Sequence, residues 1–138
     1  MDNALQQLEG FIDAWTDTAE QNKAAFLRLK KQIESKAGVR LDFIAREGVS
    51  YSLRAAHEQQ TKRSLYAMVD VIEDQPRWLS VCFYDELVED PDVLGDFVPA
   101  GLLGEDALCF DVASFDEDLL CYIESRLDEA HAAAAADP

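Results

Sequence analysis

Apolar residues recur at alternating steps of three and four along the first part of the chain, which is the spacing of one helix face. This stripe comprises Leu5, Leu8, Ile12, Trp15, Ala19, Asn22, Phe26, Leu29 and Ile33. Thr16 to Thr18 are poor helix formers, and Asp17 or Thr18 is suited to cap a second helix. The pattern predicts that residues 1–38 form one long helix, or two nearly collinear helices, ending at Gly38.

Residues 39–85 are dense in β-branched and aromatic side chains, with turn-type residues between the runs, and this pattern predicts a four-strand antiparallel meander. The four runs are Arg40–Ala45, Val49–Ala56, Leu65–Ile72 and Trp78–Tyr84. For the first hairpin we predict a three-residue loop, 46–48, which pairs Phe43 with Tyr51 and keeps one sheet face apolar. That register places Arg40 opposite Arg54.

The third and fourth runs are apolar on both faces, so both faces need a cover. Residues 86–106 contain Pro91, Pro99, three glycines and several apolar anchors, and we expect a covering loop or short helix there. The alternative cover is the C-terminal helix or a second subunit. The pattern of residues 107–113 predicts a fifth strand. Ser114 to Glu117 then has the form of a capping box, which predicts a helix over 114–136. The expected fold is a single α+β domain, 1–138, in which the C-terminal helix packs on a sheet of about five strands.

Charge is distributed unevenly along this acidic chain. The net charge of −16 divides into +1 for residues 1–63 and −17 for residues 64–138, where Arg77 and Arg126 are the only bases. Such a chain is repelled by phosphate backbones and anionic membranes, so we expect neither direct nucleic-acid binding nor membrane binding. A basic protein partner fits the acidic half. Mimicry of nucleic acid is a further alternative.

Cys82, Cys109 and Cys121 lie inside apolar patterns without a Cys-x-x-Cys spacing. We expect reduced thiols that act as small core hydrophobes in a cytoplasmic protein. The first seven residues lack the basic and apolar regions of a signal peptide. No apolar run reaches the roughly 18 residues of a membrane span.

One candidate ligand site lies on the polar face of the first hairpin. Arg40, Arg54 and Ser52, with Ser50 as a further candidate, would bind a small anion or carboxylate, because like charges placed opposite each other favour an anion between them. His57 follows at the strand end, where a histidine side chain could shuttle protons, although we expect it to be solvated there. No nucleophile motif accompanies these residues, so no catalytic residue is predicted.

Surplus apolar side chains suggest an interface, for which the candidates are Tyr66, Met68, Ile72 and Trp15. The acidic run from Asp85 to Asp96 resembles the start of an EF-hand loop, but Gly101 occupies the position where the motif requires Glu. We therefore expect no metal site. The scattered glycines form no phosphate-binding loop, and no cofactor is expected.

The leading expectation is a non-enzymatic protein-binding module, adaptor-like or chaperone-like, that acts as a homodimer. The alternative is a small-molecule or anion-binding protein or enzyme, with a pocket between the sheet and residues 86–104. The order helix, meander, strand, helix in a small acidic chain is loosely similar to bacterial type III secretion chaperones. That similarity is one of element order and includes no residue motif.

Overall fold

The computed structural model describes residues 3–136. Within these residues, three helices and six strands follow one another, with one 3-10 turn after the fourth strand. Their bounds are α1 Asn3–Ala14, α2 Asn22–Glu34, β1 Val39–Arg46, β2 Ser50–His57, β3 Ala67–Ile72, β4 Trp78–Tyr84, the 3-10 turn Asp85–Leu87, β5 Asp96–Leu102, β6 Glu105–Val112 and α3 Glu117–Ala135. The fold is of the α+β class, as the sequence pattern predicted.

The six strands form one antiparallel sheet in the order β1-β2-β3-β4-β6-β5. The predicted meander and the predicted strand at 107–113 account for five of these strands. The sixth, β5, lies inside the segment that we expected to be a covering loop or short helix. It pairs with β6 through the short run Asp96 to Val98, and Pro99 to Gly101 then interrupt the register before Leu102 pairs with Glu105.

The N-terminal stripe forms two helices, and Asp17 in the linker between them caps the first turn of α2. The Asp17 carboxylate accepts hydrogen bonds from the backbone N–H groups of Lys23 (3.1 Å) and Ala24 (3.2 Å), in the first turn of α2. Gln21 adopts a left-handed conformation, with φ of 60°, so a continuous helix cannot pass through it. The structure therefore has two helices, separated by residues 15–21, and not one continuous helix.

The β1–β2 hairpin has a three-residue loop, as predicted, but the loop is 47–49 instead of 46–48. The backbone N–H of Val49 donates to the carbonyl of Arg46 at 2.8 Å, and Gly48 between them has φ of 79°. Phe43 consequently pairs with Leu53 and not with Tyr51. Because the shift amounts to two residues in the pairing, each side chain stays on its predicted face of the sheet.

One face of the sheet is covered by the three helices and holds the main core. Phe43, Leu53, Val69, Val81 and Phe110 point to that side and are at most 4% exposed. They pack against buried residues of the helices, among them Leu8, Phe26, Leu29, Leu120, Ile123 and Leu127. The predicted packing of the C-terminal helix on the sheet is thus observed, and the N-terminal helices share the same face.

Two polar residues tie the helices to the strand connections. Asn22, 1% exposed, donates through Nδ2 to the carbonyls of Arg77 (2.7 Å) and Ala113 (2.9 Å). The Arg77 guanidinium lies 5.1 Å from the ring centroids of Phe11 and Tyr51, which is cation–π distance. These contacts join the start of α2 and the end of α1 to the β3–β4 and β6–α3 connections.

The last helix begins two residues later than the predicted capping box implies, with Asp116 and not Ser114 as its N-cap. The Asp116 carboxylate, and not the Ser114 hydroxyl, accepts hydrogen bonds from the N–H groups of Asp118 (3.1 Å) and Leu119 (3.2 Å). An aspartate at this position also places a negative charge at the positive end of the helix. Near the other end of α3, Ala130 and Ala134 are buried, so the helix packs on the core almost to its last turn.

Candidate functional site

The sheet face opposite the helices carries most of the polar residues singled out in the sequence. Arg40, Ser52 and Arg54 all lie on this open face, where β1 and β2 are adjacent. In the observed register Arg40 pairs with Ala56, and Arg54 pairs with Asp42, so the expected direct opposition of two arginines is wrong. Ser52 is 6% exposed and accepts a hydrogen bond from Nε of Arg54 at 3.2 Å.

A cavity of about 390 Å³ lies at one end of the open face, between β1, β2 and the β2–β3 connection. Arg40, Asp42 and Arg54 line it from the strands, and Arg63 lines it from the connection. Arg63 is held in place by Glu86 and Glu105 and stacks 4.3 Å above the Tyr84 ring. The structure therefore brings Arg40 and Arg54 to one cavity and adds Arg63, which the sequence reasoning did not connect with them.

A partly buried carboxylate, Asp70, lies near the centre of the open face. Ser52 and Ser80 flank it directly on the neighbouring strands. Burial raises the pKa of Asp70, an effect that the Ser52 hydroxyl and the charges of Arg54 and Arg46 oppose only in part. Its Oδ1 atom is buried and has no hydrogen-bond partner within residues 3–136. Asp70 is thus a partly compensated buried carboxylate, and no pattern in the sequence distinguished it.

His57 lies on the other side of β2, away from the arginines. It is 7% exposed, which contradicts the expectation of a solvated strand end. Its Nδ1 atom accepts the N–H of Gln59 at 3.0 Å, and its ring lies 5.0 Å from that of His131 on α3. A β-carbon on Gly38 would lie 2.7 Å from Nε2 of His57, so the loop after α2 closes over the ring. The structure does not bring His57 to the arginine cavity.

The four candidate interface residues have different environments. Trp15 and Tyr66 are 5% and 1% exposed and belong to the main core, so neither presents an exposed surface. Tyr66 was expected on the second sheet face, but it precedes β3 and its ring contacts His131 on the helix side. Met68 and Ile72 are half-buried on the open face. A contiguous interface of these four residues is therefore not present.

Residues 85–106 cover only one corner of the open face. Leu102 is fully buried against Leu65, Tyr84 and Ala107, with Met68 at the margin of this small second core. The rest of the open face, including Asp70 and Ile72, has no covering element among residues 3–136. The sequence left open whether the 86–104 segment or a second subunit covers these strands, and the segment supplies part of that cover.

The free edge of the sheet at β5 is the most exposed apolar region of the described chain. Every residue from Asp96 to Gly101 is exposed. Large apolar side chains are exposed here at Val93 (81%), Leu94 (51%), Phe97 (55%), Val98 (38%) and Leu103 (56%). The sequence reasoning took these side chains for anchors of a covering segment. The short alternation from Asp96 to Val98 was a local signal for a strand, although a weak one.

The loop before β5 is ordered by Asp90. Its carboxylate accepts hydrogen bonds from the N–H groups of Leu94 (3.0 Å) and Gly95 (2.9 Å), and from the Tyr122 hydroxyl on α3. Burial opposes ionisation, but these hydrogen bonds outweigh it and hold the pKa of Asp90 below its ordinary value. Within residues 3–136, no group of three or more metal-ligating side chains could hold an ion, and Asp90 serves the loop itself.

The cysteines differ from the expectation of three separate core thiols. Cys82 and Cys109 lie opposite each other on β4 and β6, with Cα atoms 4.2 Å apart, and form a disulfide. Cys121 is an exposed thiol on α3, where it donates to Glu117. The sequence pattern did not indicate this pair. Cys82 and Cys109 are neighbours only because β6 lies beside β4, while β5, which comes between them in the chain, lies at the outer edge of the sheet.

A comparison with protein-family models, curated proteins and solved structures finds no match to the chain. Between residues 3 and 136, no helix combines the length and apolar character needed to span a bilayer. The features of the molecule that bear on function are therefore the exposed edge, the charges and the arginine cavity.

Proposed function

We propose that the protein is a non-enzymatic binding module that takes up an extended, basic and apolar segment of a partner protein along the free edge of β5. The observation that carries this proposal is the row of exposed apolar side chains on a sheet edge in an acidic part of the chain. The homodimer expected from the sequence is the competing occupant of the same edge.

The backbone of β5 supplies hydrogen-bonding groups for such a partner. β5 is the last strand of the sheet, so alternate N–H and C=O groups along it face away from β6. An exposed edge of this kind pairs readily with another extended chain. Pro99 lacks an N–H group and begins the irregular stretch to Gly101. The regular docking strand is therefore short, from Asp96 to Val98, and the exposed Val93 and Leu94 lie in the loop just before it.

Apolar side chains along this edge supply the energy of docking. Phe97 pairs with Leu108 in the sheet and is 55% exposed. Covering an apolar side chain of this size contributes roughly 1.5–3 kcal/mol when burial is complete, and about half of that for the exposed part. Phe97 and Leu94 together are thus expected to supply about 2–3 kcal/mol of the binding free energy.

Charge favours a basic partner over a second copy of the chain. Residues 78–125 contain thirteen acidic residues and no lysine or arginine. Pairing two β5 edges would bring two such acidic regions together, and like charges across an interface oppose association. A partner segment with lysine or arginine beside its apolar residues gains the same hydrogen bonds and has the complementary charge.

The backbone around the edge is held in an unusual conformation. Residues other than glycine rarely adopt positive φ angles. Three occur around this edge, at Val93 (53°), Ala100 (54°) and Leu103 (50°). Strained backbone of this kind is concentrated at functional sites. Asp90 fixes the start of the segment through its hydrogen bonds to the loop and to Tyr122. The edge is consequently presented in one conformation, which lowers the entropic cost of docking.

Defined peptides test the proposal by fluorescence anisotropy. The basic probe is a labelled peptide of about nine residues in which valine and lysine alternate, and its matched control carries glutamate in place of lysine. We expect saturable binding of the lysine peptide, weaker at high salt, and no binding of the glutamate peptide. Phe97→Thr should weaken binding about tenfold, since it removes the main apolar contact.

Val49→Thr is the matched variant. Val49 is 59% exposed, on the hairpin loop far from β5 in the strand order. Equal loss of binding in both variants, or amide shift changes at Asp70 and Ile72 instead of residues 93–98, would contradict the proposal. A dimer in light scattering that Phe97→Thr dissociates would show that a second copy occupies the edge, and would also overturn it.

The proposal retains the cytoplasmic location expected from the sequence, which cell fractionation tests. Recovery of the protein from an oxidising compartment would contradict that location. It would agree with the Cys82–Cys109 disulfide, since such bonds persist mainly in oxidising compartments.

A further inference from the structure

We propose that the cavity between β1, β2 and the β2–β3 connection binds a small organic phosphate monoester, held by Arg40 and Arg54. This site lies on the open face at the β1 side of the sheet, whereas the docking edge is β5 at the opposite end of the strand order. The inference is independent of the proposed function, because it rests on different residues.

The arginines of this chain fall into two groups by their partners. Four of them have a carboxylate within 4 Å, namely Arg28, Arg63, Arg77 and Arg126. The other three have no ion-pair partner among residues 3–136, and all lie on the open face of β1 and β2: Arg40, Arg46 and Arg54. With 28 acids and 12 bases in the chain, a shortage of carboxylates does not explain this. Arg46 and Arg54 act on Asp70 through their charges but form no direct ion pair with it, so their guanidinium groups can still bind an external anion.

The cavity is shaped to bring two of these guanidinium groups to one ligand. Ala56 pairs with Arg40, and its small side chain leaves room above the sheet at that point. Arg54 is oriented by the bond from its Nε to Ser52, which leaves both Nη groups free to donate. Arg63, fixed by two glutamates, uses only Nε and Nη2 in those bonds and retains the N–H groups of Nη1.

The donors and the size of the cavity define the class of ligand. Guanidinium groups bind phosphate oxygens in pairs, with geometry that an isolated charge does not reproduce. A volume of about 390 Å³ exceeds what a phosphate group alone fills, so the cavity has room for an attached organic part. Asp42 lines the same cavity and can only accept hydrogen bonds when ionised. The organic part is therefore expected to carry hydroxyl or ammonium donors.

The acidic remainder of the chain does not prevent anion binding at this position. At physiological ionic strength, charges are screened over about 8 Å, so the ligand responds mainly to the groups that line the cavity. Three arginines and one aspartate line it. Counted together with Glu86 and Glu105, the charges at the cavity balance, so anion binding there depends on the directed guanidinium donors of Arg40 and Arg54 and not on net charge.

Isothermal titration calorimetry of the full chain with glycerol phosphate tests the inference. We expect saturable binding, with no binding of glycerol, which lacks the phosphate, and much weaker binding of succinate. Arg40→Gln and Arg54→Gln should each reduce affinity about tenfold or more, since each removes charge-assisted hydrogen bonds. Circular dichroism establishes that the variants are folded, and Arg40 is exposed, so its replacement leaves the core intact.

Arg46→Gln is the matched control, because Arg46 is the third unpaired arginine on the same face and does not line the cavity. It should leave the affinity for glycerol phosphate unchanged. Equal weakening by all three substitutions would show a diffuse electrostatic effect and overturn the site. Absence of saturable binding in the wild-type chain, or equal affinity for succinate and glycerol phosphate, would overturn the assignment to a phosphate monoester.

Discussion

Replacing Asp70 by asparagine should stabilise the protein at neutral pH. Asp70 is largely enclosed on the open face, and its Oδ1 atom has no hydrogen-bond partner within residues 3–136. Leaving a buried polar group unsatisfied costs about 1–3 kcal/mol and more when the group is charged, so the neutral amide of asparagine is the less costly group at this position. Ser52 and the charges of Arg54 and Arg46 recover part of this cost, so we expect Asp70→Asn to raise the free energy of unfolding by about 1 kcal/mol.

The stabilisation should depend on pH in a defined direction. Burial raises the pKa of Asp70 in the folded state, so the folded chain holds this proton at pH values where the unfolded chain has lost it. Stability is therefore lost as the pH rises above the ordinary carboxyl pKa and through the raised folded value. The advantage of Asp70→Asn should be larger at pH 7.5 than at pH 5, and it should disappear where Asp70 is protonated in both states.

Urea unfolding, followed by circular dichroism at pH 5.0, 6.0 and 7.5, measures this difference. A change of about 1 kcal/mol corresponds to a melting-temperature shift of about 4 °C for a domain of this size. Asp92→Asn is the control for reduced net charge, because Asp92 is exposed and its carboxylate makes no hydrogen bond within residues 3–136. If Asp70→Asn is less stable than the wild type at pH 7.5, or gains no more than Asp92→Asn, the reasoning about burial is refuted.

Two further substitutions test the packing of the helix layer. Asn22→Ala removes both hydrogen bonds that join α2 to two strand connections, and we expect a loss of about 2–3 kcal/mol by urea unfolding; a loss below about 0.5 kcal/mol would contradict the role given to Asn22. Gly38→Ala places a β-carbon 2.7 Å from the buried His57 ring at a φ of 74°, and we expect about 2–3 kcal/mol of destabilisation. Gly48 is the control, because its φ of 79° is similar but a β-carbon added there meets no atom within 4 Å. Gly48→Ala should therefore lower the free energy of unfolding by only about 1 kcal/mol. Equal losses at the two glycines would show that contact with His57 is unimportant.

Patterns confined to one element were predicted well from the sequence. The side chains of the first hairpin are on their predicted faces, because a shift of two residues in pairing preserves the alternation. The exact register was beyond the pattern. Pairing Phe43 with Tyr51 or with Leu53 leaves the apolar face equally apolar, and the choice depends on the backbone geometry of the turn around Gly48.

Features that depend on distant parts of the chain were not predicted. The residues that follow His57 in the sequence are polar, whereas its burial comes from Gly38 and from His131 on the last helix. The failure at β5 has a different cause, since proline and glycine at 99–101 hide a strand whose regular part is only three pairs long. The two arginines of the cavity were found because β1 and β2 are neighbours in sequence, and Arg63 was missed because it lies on the connection that follows.

Because β5 lies outside β6, the chain passes from the end of β4 to the edge of the sheet and then returns in β6 directly beside β4. Tyr84, the last residue of β4, pairs with Ala107. Residues 85–106 therefore form an excursion whose two ends are already neighbours, and a short turn would in principle close the gap. Such an excursion can change in length and sequence while the other five strands keep their pairing, provided that its contacts with the rest of the fold are kept or replaced. These contacts are those of Leu102 with the small second core, of Asp90 with Tyr122, and of Glu86 and Glu105 with Arg63. The segment that carries the exposed edge is thus also the segment in which partner preference can vary at least cost to the rest of the fold.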